Sequence, residues 1–165
     1  MANKANLKIA LLANRLNARG PVGHVLAFTL RQVNRVLFCC DIGIGAHIDP
    51  TCVFHHSGLG CVIHAKAVVG PGCRFFQHVT IGSAWRGGVS PGERVPRVGR
   101  DVLLGAGCVL LGDIDIGDGA TIGANAVVTK TVPAGAVVVG VPGRVIGFRE
   151  GLEPPVKEGC RQEDE

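Results

Sequence analysis

Along two stretches of the chain, apolar residues return every six positions, a period that matches neither the α-helix nor the plain alternation of a half-buried strand. The first stretch runs Ile63, Val69, Phe75, Ile81, and the second Val98, Leu104, Leu110, Ile116, Ile122, Val128. Two places ahead of nearly all of them stands another small or apolar residue: Cys61, Ala67, Cys73 and Val79, then Val102, Cys108, Ile114, Ala120 and Ala126. In the second stretch Gly follows at 99, 105, 117 and 123. Each hexad therefore predicts one short strand with two inward side chains, then a turn at a residue that tolerates a bend. Units of this kind cannot bury an apolar face alone, so they stack into coils with one continuous core.

The flanks read differently. Leu7–Leu16 and Val22–Leu37 mix apolar residues with Arg and Asn at helical spacing, and Gly20-Pro21 separates them, so residues 1–40 predict a helical segment of two short helices. The hexads occupy 41–147, about five coils of an all-β core. They are interrupted at 82–97 (GSAWRGGVSPGERVPR), a loop whose length points to function. Residues 148–165 are polar and charged and read as a flexible tail.

Composition narrows the picture further. Glycine fills 25 of 165 positions, there is one Trp, no Tyr and only 6 Phe, so the core is layered from Val, Ile, Leu and Ala. No run approaches the ~20 apolar residues of a membrane span, and no signal peptide is read at the N-terminus. Seven scattered cysteines without a C-x-x-C pair suit a reduced, cytoplasmic protein with free thiols. The net charge of +4 carries no dense Lys/Arg run, which argues against nucleic acid but leaves small anionic ligands open.

The candidate chemistry lies in the first run, which holds four of the six histidines: His55, His56, His64 and His78. The ordered motifs DIGIG, FHHSGLGCVI and FQHVTIG between 41 and 82, then LLGAGCVLLGDIDIGDGATIGANAVV and VPAGAVVVGVPGRVI, resemble the hexapeptide-repeat acyltransferases. Within that family they are similar to the serine acetyltransferases and their short relatives that O-acetylate surface sugars, over roughly 22–147. The resemblance implies a left-handed parallel β-helix, three hexads to the coil, although parallel crossovers are otherwise right-handed. It also implies acetyl-CoA as acyl donor, no required metal, and a homotrimer with the donor in the groove between neighbouring subunits.

By the same resemblance His56 is the general base and Asp41, fifteen residues earlier, is the carboxylate that orients and charges it. Such a pair suits the chemistry, because an acceptor hydroxyl attacks poorly at neutral pH until a nearby base takes its proton. Gly82, Gly105, Ala106, Gly123 and Ala124 match donor-binding positions, and Lys130 and Arg144 match the donor-phosphate end. His55, His78 and Arg94 are the acceptor-side candidates. His55 is read as adjacent to His56 on a strand, hence on the opposite face; His64 is read as a surface turn residue.

Three departures bear on the acceptor. His55 stands where serine acetyltransferases have Asp, and their Arg-His-Pro reads Arg94-Val95-Pro96. Two helices stand where full-length serine acetyltransferases carry a larger helical domain. The expected activity is acetyl-CoA-dependent O-acetylation of L-serine or a serine-like molecule, with a sugar or surface polysaccharide as the alternative. A zinc-dependent hexapeptide-repeat enzyme and a non-catalytic scaffold are rivals of other classes. The tail ends Asp164-Glu165 rather than in the isoleucine that docks serine acetyltransferases into cysteine synthase, so no such complex is expected.

Overall fold

The computed structural model describes residues 5–84, 95–149 and 151. Helix α1, Ala5–Asn17, and helix α2, Pro21–Phe38, fold as the spacing predicts, each running slightly beyond its apolar pattern. Gly20 makes the break between them at φ 83°, a backbone angle that suits glycine, and Pro21 opens α2 where its missing N–H costs nothing. One side of α2 is buried through Gly23, Ala27 and Asn34. Another presents Val22, Val25, Leu26, Val36 and Leu37 to solvent.

Beyond the helices the chain winds into a left-handed parallel β-helix of triangular section. Face one stacks Asp41–Ile42, Val62–Ile63, Thr80–Gly82, Val109–Leu111 and Val127–Val128. Face two stacks His47–Ile48, Val68–Val69, Arg97–Val98 and Asp115–Ile116, with Val132 bridging to Ile116. Face three stacks Val53–Phe54, Arg74–Phe75, Leu103–Leu104, Thr121–Ile122 and Ala136–Val139. Five strands on face one make five coils, as the sequence predicts.

Every hexad residue listed from the sequence points inward and is buried, and so is every partner two places ahead of it. The core is a column of like on like. Phe54 and Phe75 stack in successive coils with centroids 4.4 Å apart, and Cys61, Val79 and Cys108 rise one above another on face one. All six described cysteines carry free thiols; Cys160 lies outside the described residues. Burial pushes the thiols of Cys40 and Cys108 up to about 12 and that of Cys61 up to about 11, as expected of small hydrophobes.

Both ends of the coil are covered. Leu7 and Ala10 of α1 join the core beneath the first coil. At the other end an element the hexads do not predict, Arg144–Phe148, returns antiparallel along Ala136–Val139, and Phe148 packs against the core. Phe148, read from the sequence as the first residue of a tail, is therefore the end of a strand; its pairing lies outside any six-residue period.

Candidate functional site

The coil is not uniform, and its irregularity locates the site. Register partners on face one are 18 residues apart from Val62 to Thr80 and again from Val109 to Val127, but 21 apart from Asp41 to Val62. The surplus falls in the corner His55–Gly60, between face three and face one. There His55–Gly58 form a kinked turn in which His56 (φ 51°) and Ser57 (φ 55°) take left-handed conformations. His55 and His56 thus sit on a tight turn rather than on a strand, and strand alternation does not govern where they point.

The corner is tied to the helical segment from below. Gly60 N–H donates to the Cys39 carbonyl at 2.9 Å, and the next residue but one after Cys39, Asp41, donates from its N–H to the Cys61 carbonyl at 2.9 Å. Gly58 has no room for a side chain, because Asn6, Phe54 and Cys40 crowd its Cα. Asn6, fully buried, reaches Cys40 Sγ with its amide at 3.7 Å.

From above, the next coil sets Phe76, Gln77 and His78 over the corner. The His55 ring lies flat on Phe76, centroids 4.7 Å apart and 14° from parallel. His78, at φ 60°, donates its N–H to the Leu59 carbonyl at 2.8 Å, and its ring occupies the space a side chain at Gly60 would need. His56 and His78 are exposed and His55 is half-buried. Gln77 Oε1 is shielded from solvent and has no hydrogen-bond partner among the described residues.

The same edge continues upward. Gly107 N–H donates to the Gln77 carbonyl at 2.9 Å, Gly105 N–H to Ile122 at 2.8 Å, and Asn125 N–H to Ala106 at 2.8 Å. A Cβ on Gly105 would stand 2.7 Å from Ala124 N and 2.8 Å from Gly123 C, so glycine lets the two corners approach closely. One edge of the prism therefore carries His55, His56 and His78 at its base and Gly105, Ala106, Gly123 and Ala124 above them.

Other candidates lie elsewhere. Gly82 ends its strand at the edge between faces one and two, where Gly112 N–H donates to its carbonyl at 3.1 Å. Lys130 and Arg144 line a surface cleft of about 330 Å³ at the last coil. His64 is on the Gly82 edge, where its Nδ1 accepts from Lys66 N–H at 3.1 Å. It cannot join His56 and His78, and among the described residues no three metal-ligating side chains converge. Arg94 lies outside the described residues.

Asp41 has a partner that sequence spacing did not supply. Arg31 Nε donates to its Oδ1 at 2.7 Å and Arg31 Nη2 to its Oδ2 at 3.0 Å, with Arg35 Nε 3.8 Å from Oδ2. The hydrogen bond to Asp41 holds the Arg31 guanidinium above its ordinary range. Among the described residues no hydrogen bond joins Asp41 to His56. Arg31, Asn6, Phe76 and Gln77 are the site-adjacent residues that the hexads did not single out.

The stacked coil of hexads is the architecture of the hexapeptide-repeat transferases. Residues 96–130 match the bacterial transferase hexapeptide (six repeats) family, and over most of its length the chain is similar to hexapeptide-repeat acyltransferases. Within them it is serine acetyltransferase-like. It is 44% identical over 136 residues to the serine acetyltransferase of Mycobacterium tuberculosis, spanning 82% of this chain and 57% of the relative. With the serine acetyltransferase of Synechococcus elongatus it shares 39% identity over 128 residues, 78% of this chain and 50% of that one. The crystal structure of Vibrio cholerae serine acetyltransferase superposes with a TM-score of 0.80 at 33% identity, over 90% of this chain and 55% of that one. The Brucella abortus enzyme in complex with coenzyme A gives 0.79 at 33%, over 86% and 54%. The chain thus spans about half the length of these relatives. Among the described residues no helix is long and apolar enough to cross a membrane.

Proposed function

We propose that the chain is an acetyl-CoA-dependent O-acetyltransferase, with L-serine or a serine-like hydroxyl compound as acceptor. The observation that carries this reading is the single edge on which the left-handed turn of His56 stands beneath Gly105, Ala106, Gly123 and Ala124. Relatives named serine acetyltransferase supply the acceptor.

In this mechanism His56 accepts the acceptor's hydroxyl proton as the oxygen attacks the thioester carbonyl. Asp41 favours the imidazolium that forms, and His56 returns the proton to the departing CoA sulfur as the tetrahedral intermediate collapses. His55 and His78 bound the acceptor side, and Arg94 is assigned to a carboxylate there. The small residues above let the donor lie close to the backbone, and Lys130 and Arg144 suit its phosphates.

Gly82 and Lys130 stand on a different edge from His56, which favours a groove completed by a neighbouring copy. A homotrimer of threefold symmetry supplies that neighbour, and the exposed apolar stripe of α2 is consistent with association. Light scattering at micromolar concentration should give three copies; a monomer would contradict the shared groove. The chemistry calls for no metal, and a reduced compartment suits the free thiols.

A sugar hydroxyl is the second reading, favoured by the flat His55–Phe76 stack where the serine enzymes place a carboxylate. Release of free CoA from acetyl-CoA, measured with a panel of amino acids and sugars, decides between them. Turnover with no member of either class would remove the enzymatic reading in favour of a scaffold.

A further inference from the structure

We propose that Arg31 is a positioning residue for acetyl transfer, acting through Asp41, an inference that rests on the pairing of His56 with Asp41 proposed above. The fork of Arg31 takes one lone pair from each carboxylate oxygen, at 2.7 and 3.0 Å. A carboxylate offers about four such sites, so one on each oxygen remains for an imidazole. A bidentate guanidinium also fixes the carboxylate plane, which a single point charge does not.

The surroundings make the contact more than a surface ion pair. Arg31 and Asp41 side chains are 33% and 25% exposed, well below the surface pairs Arg97–Asp113 and Arg100–Asp118, in which every side chain is more than half exposed. Asp41 begins the first strand directly after α2, and the His56 corner is hydrogen-bonded to the same junction through Gly60 and Cys39. The helix that carries Arg31 therefore sets the carboxylate, and the chain end of that helix sets the corner. Arg35, at 3.8 Å and half exposed, adds charge without the fork.

The test is a double-mutant cycle of Arg31→Gln with His56→Ala, read as kcat and KM for acetyl transfer to whichever acceptor the CoA-release panel identifies. The expected result is a roughly tenfold or larger fall in kcat for Arg31→Gln with KM for acetyl-CoA unchanged, partial recovery in Arg31→Lys, and no further loss when Arg31→Gln is added to His56→Ala. Arg35→Gln should lose less than Arg31→Gln. A readout independent of any acceptor is the imidazole N–H resonance assigned through its absence in His56→Ala, which should broaden or vanish in Arg31→Gln. Unchanged kcat and an unchanged resonance in Arg31→Gln would overturn the proposal, as would equal losses with and without His56, even if the melting temperature falls. Full activity of His56→Ala would instead overturn the underlying assignment of the base, a distinguishable failure.

Discussion

The first and third coils are built from the same hexads as the fourth, yet they carry interruptions that it lacks. Between Val109 and Val127 the chain completes a coil in 18 residues and every corner is a small-residue turn. The first and third coils depart from this, the first with three extra residues at the His55–Gly60 corner and the third with a longer loop that separates Thr80 from its partner Val109 by 29 residues. Regular coils hold their corners through backbone bonds to the coil above. The enlarged corner has such a bond too, from His78 N–H to the Leu59 carbonyl, and is held in addition by the helical segment, through Asn6, Cys39 and Cys40. A strict repeat leaves no freedom to aim a side chain, so the residues with chemistry gather where the repeat is broken and something outside it supplies support.

This contrast predicts that substitutions in the lower corner remove turnover and those in the upper coils remove stability. The largest effect is expected for His56→Ala, a loss of about 10²- to 10⁴-fold in the chemical step with a melting temperature near that of the parent. Asp41→Asn should lose less in rate, while His55→Ala and His78→Ala should change acceptor preference in steady-state kinetics. In the regular coils Ile122→Ala, fully buried, should cost about 2–5 kcal/mol in denaturant titration. If it cost under 1 kcal/mol, the stacked column would not be the source of stability.

Smaller effects sharpen the comparison. Gly105→Ala drives a Cβ into the backbone of the coil above and should cost about 1–3 kcal/mol. At Gly82 the nearest obstacle is the mobile end of Leu111 at 3.2 Å, so Gly82→Ala should be nearly neutral. Equal losses at the two sites would mean that backbone stacking does not limit the corners.

Alkaline titration probes the core thiols. The folded state holds Cys40, Cys61 and Cys108 protonated up to about 12, 11 and 12, against an ordinary 9.0. Their contribution is therefore complete below pH 9 and lost as pH rises from there towards 11–12, because the unfolded chain releases these protons first. Melting temperature should decline over that window, and Cys108→Ala should flatten the decline. Smallest of all, Cys39→Ser should remove one fast-reacting thiol from the native protein, since Cys39 is the exposed cysteine among those described.

The six-residue period made the core legible residue by residue, because a side chain that must face inward on a narrow prism has no other place to go. Ile63, Phe75, Leu104 and Ile122 are buried where the count puts them. Handedness was not legible from the period, since either hand satisfies the same inward positions; the motif resemblance carried it. The histidines of the site stood out by density, but the period assumed strand geometry at His55 and His56 and missed the positive φ that turns them. Arg31 on Asp41 was invisible for another reason. It joins two kinds of periodicity, a helix and a coil, and neither pattern records contacts with the other. Arg144–Phe148 escaped because an antiparallel return obeys no hexad.

That last strand has a consequence for how the molecule behaves in a crowd. A parallel coil whose final turn is bare offers an incoming chain the same row of donors and acceptors that its own next turn would use, and nothing in a repeat tells it to stop. The antiparallel return, with its register shift between Val137 and Val138, replaces that row with one of different spacing and direction. α1 closes the opposite end by packing Leu7 and Ala10 beneath the first coil. The protein is in this sense a short length cut from a potentially endless fibre, with each cut end sealed by structure that does not repeat.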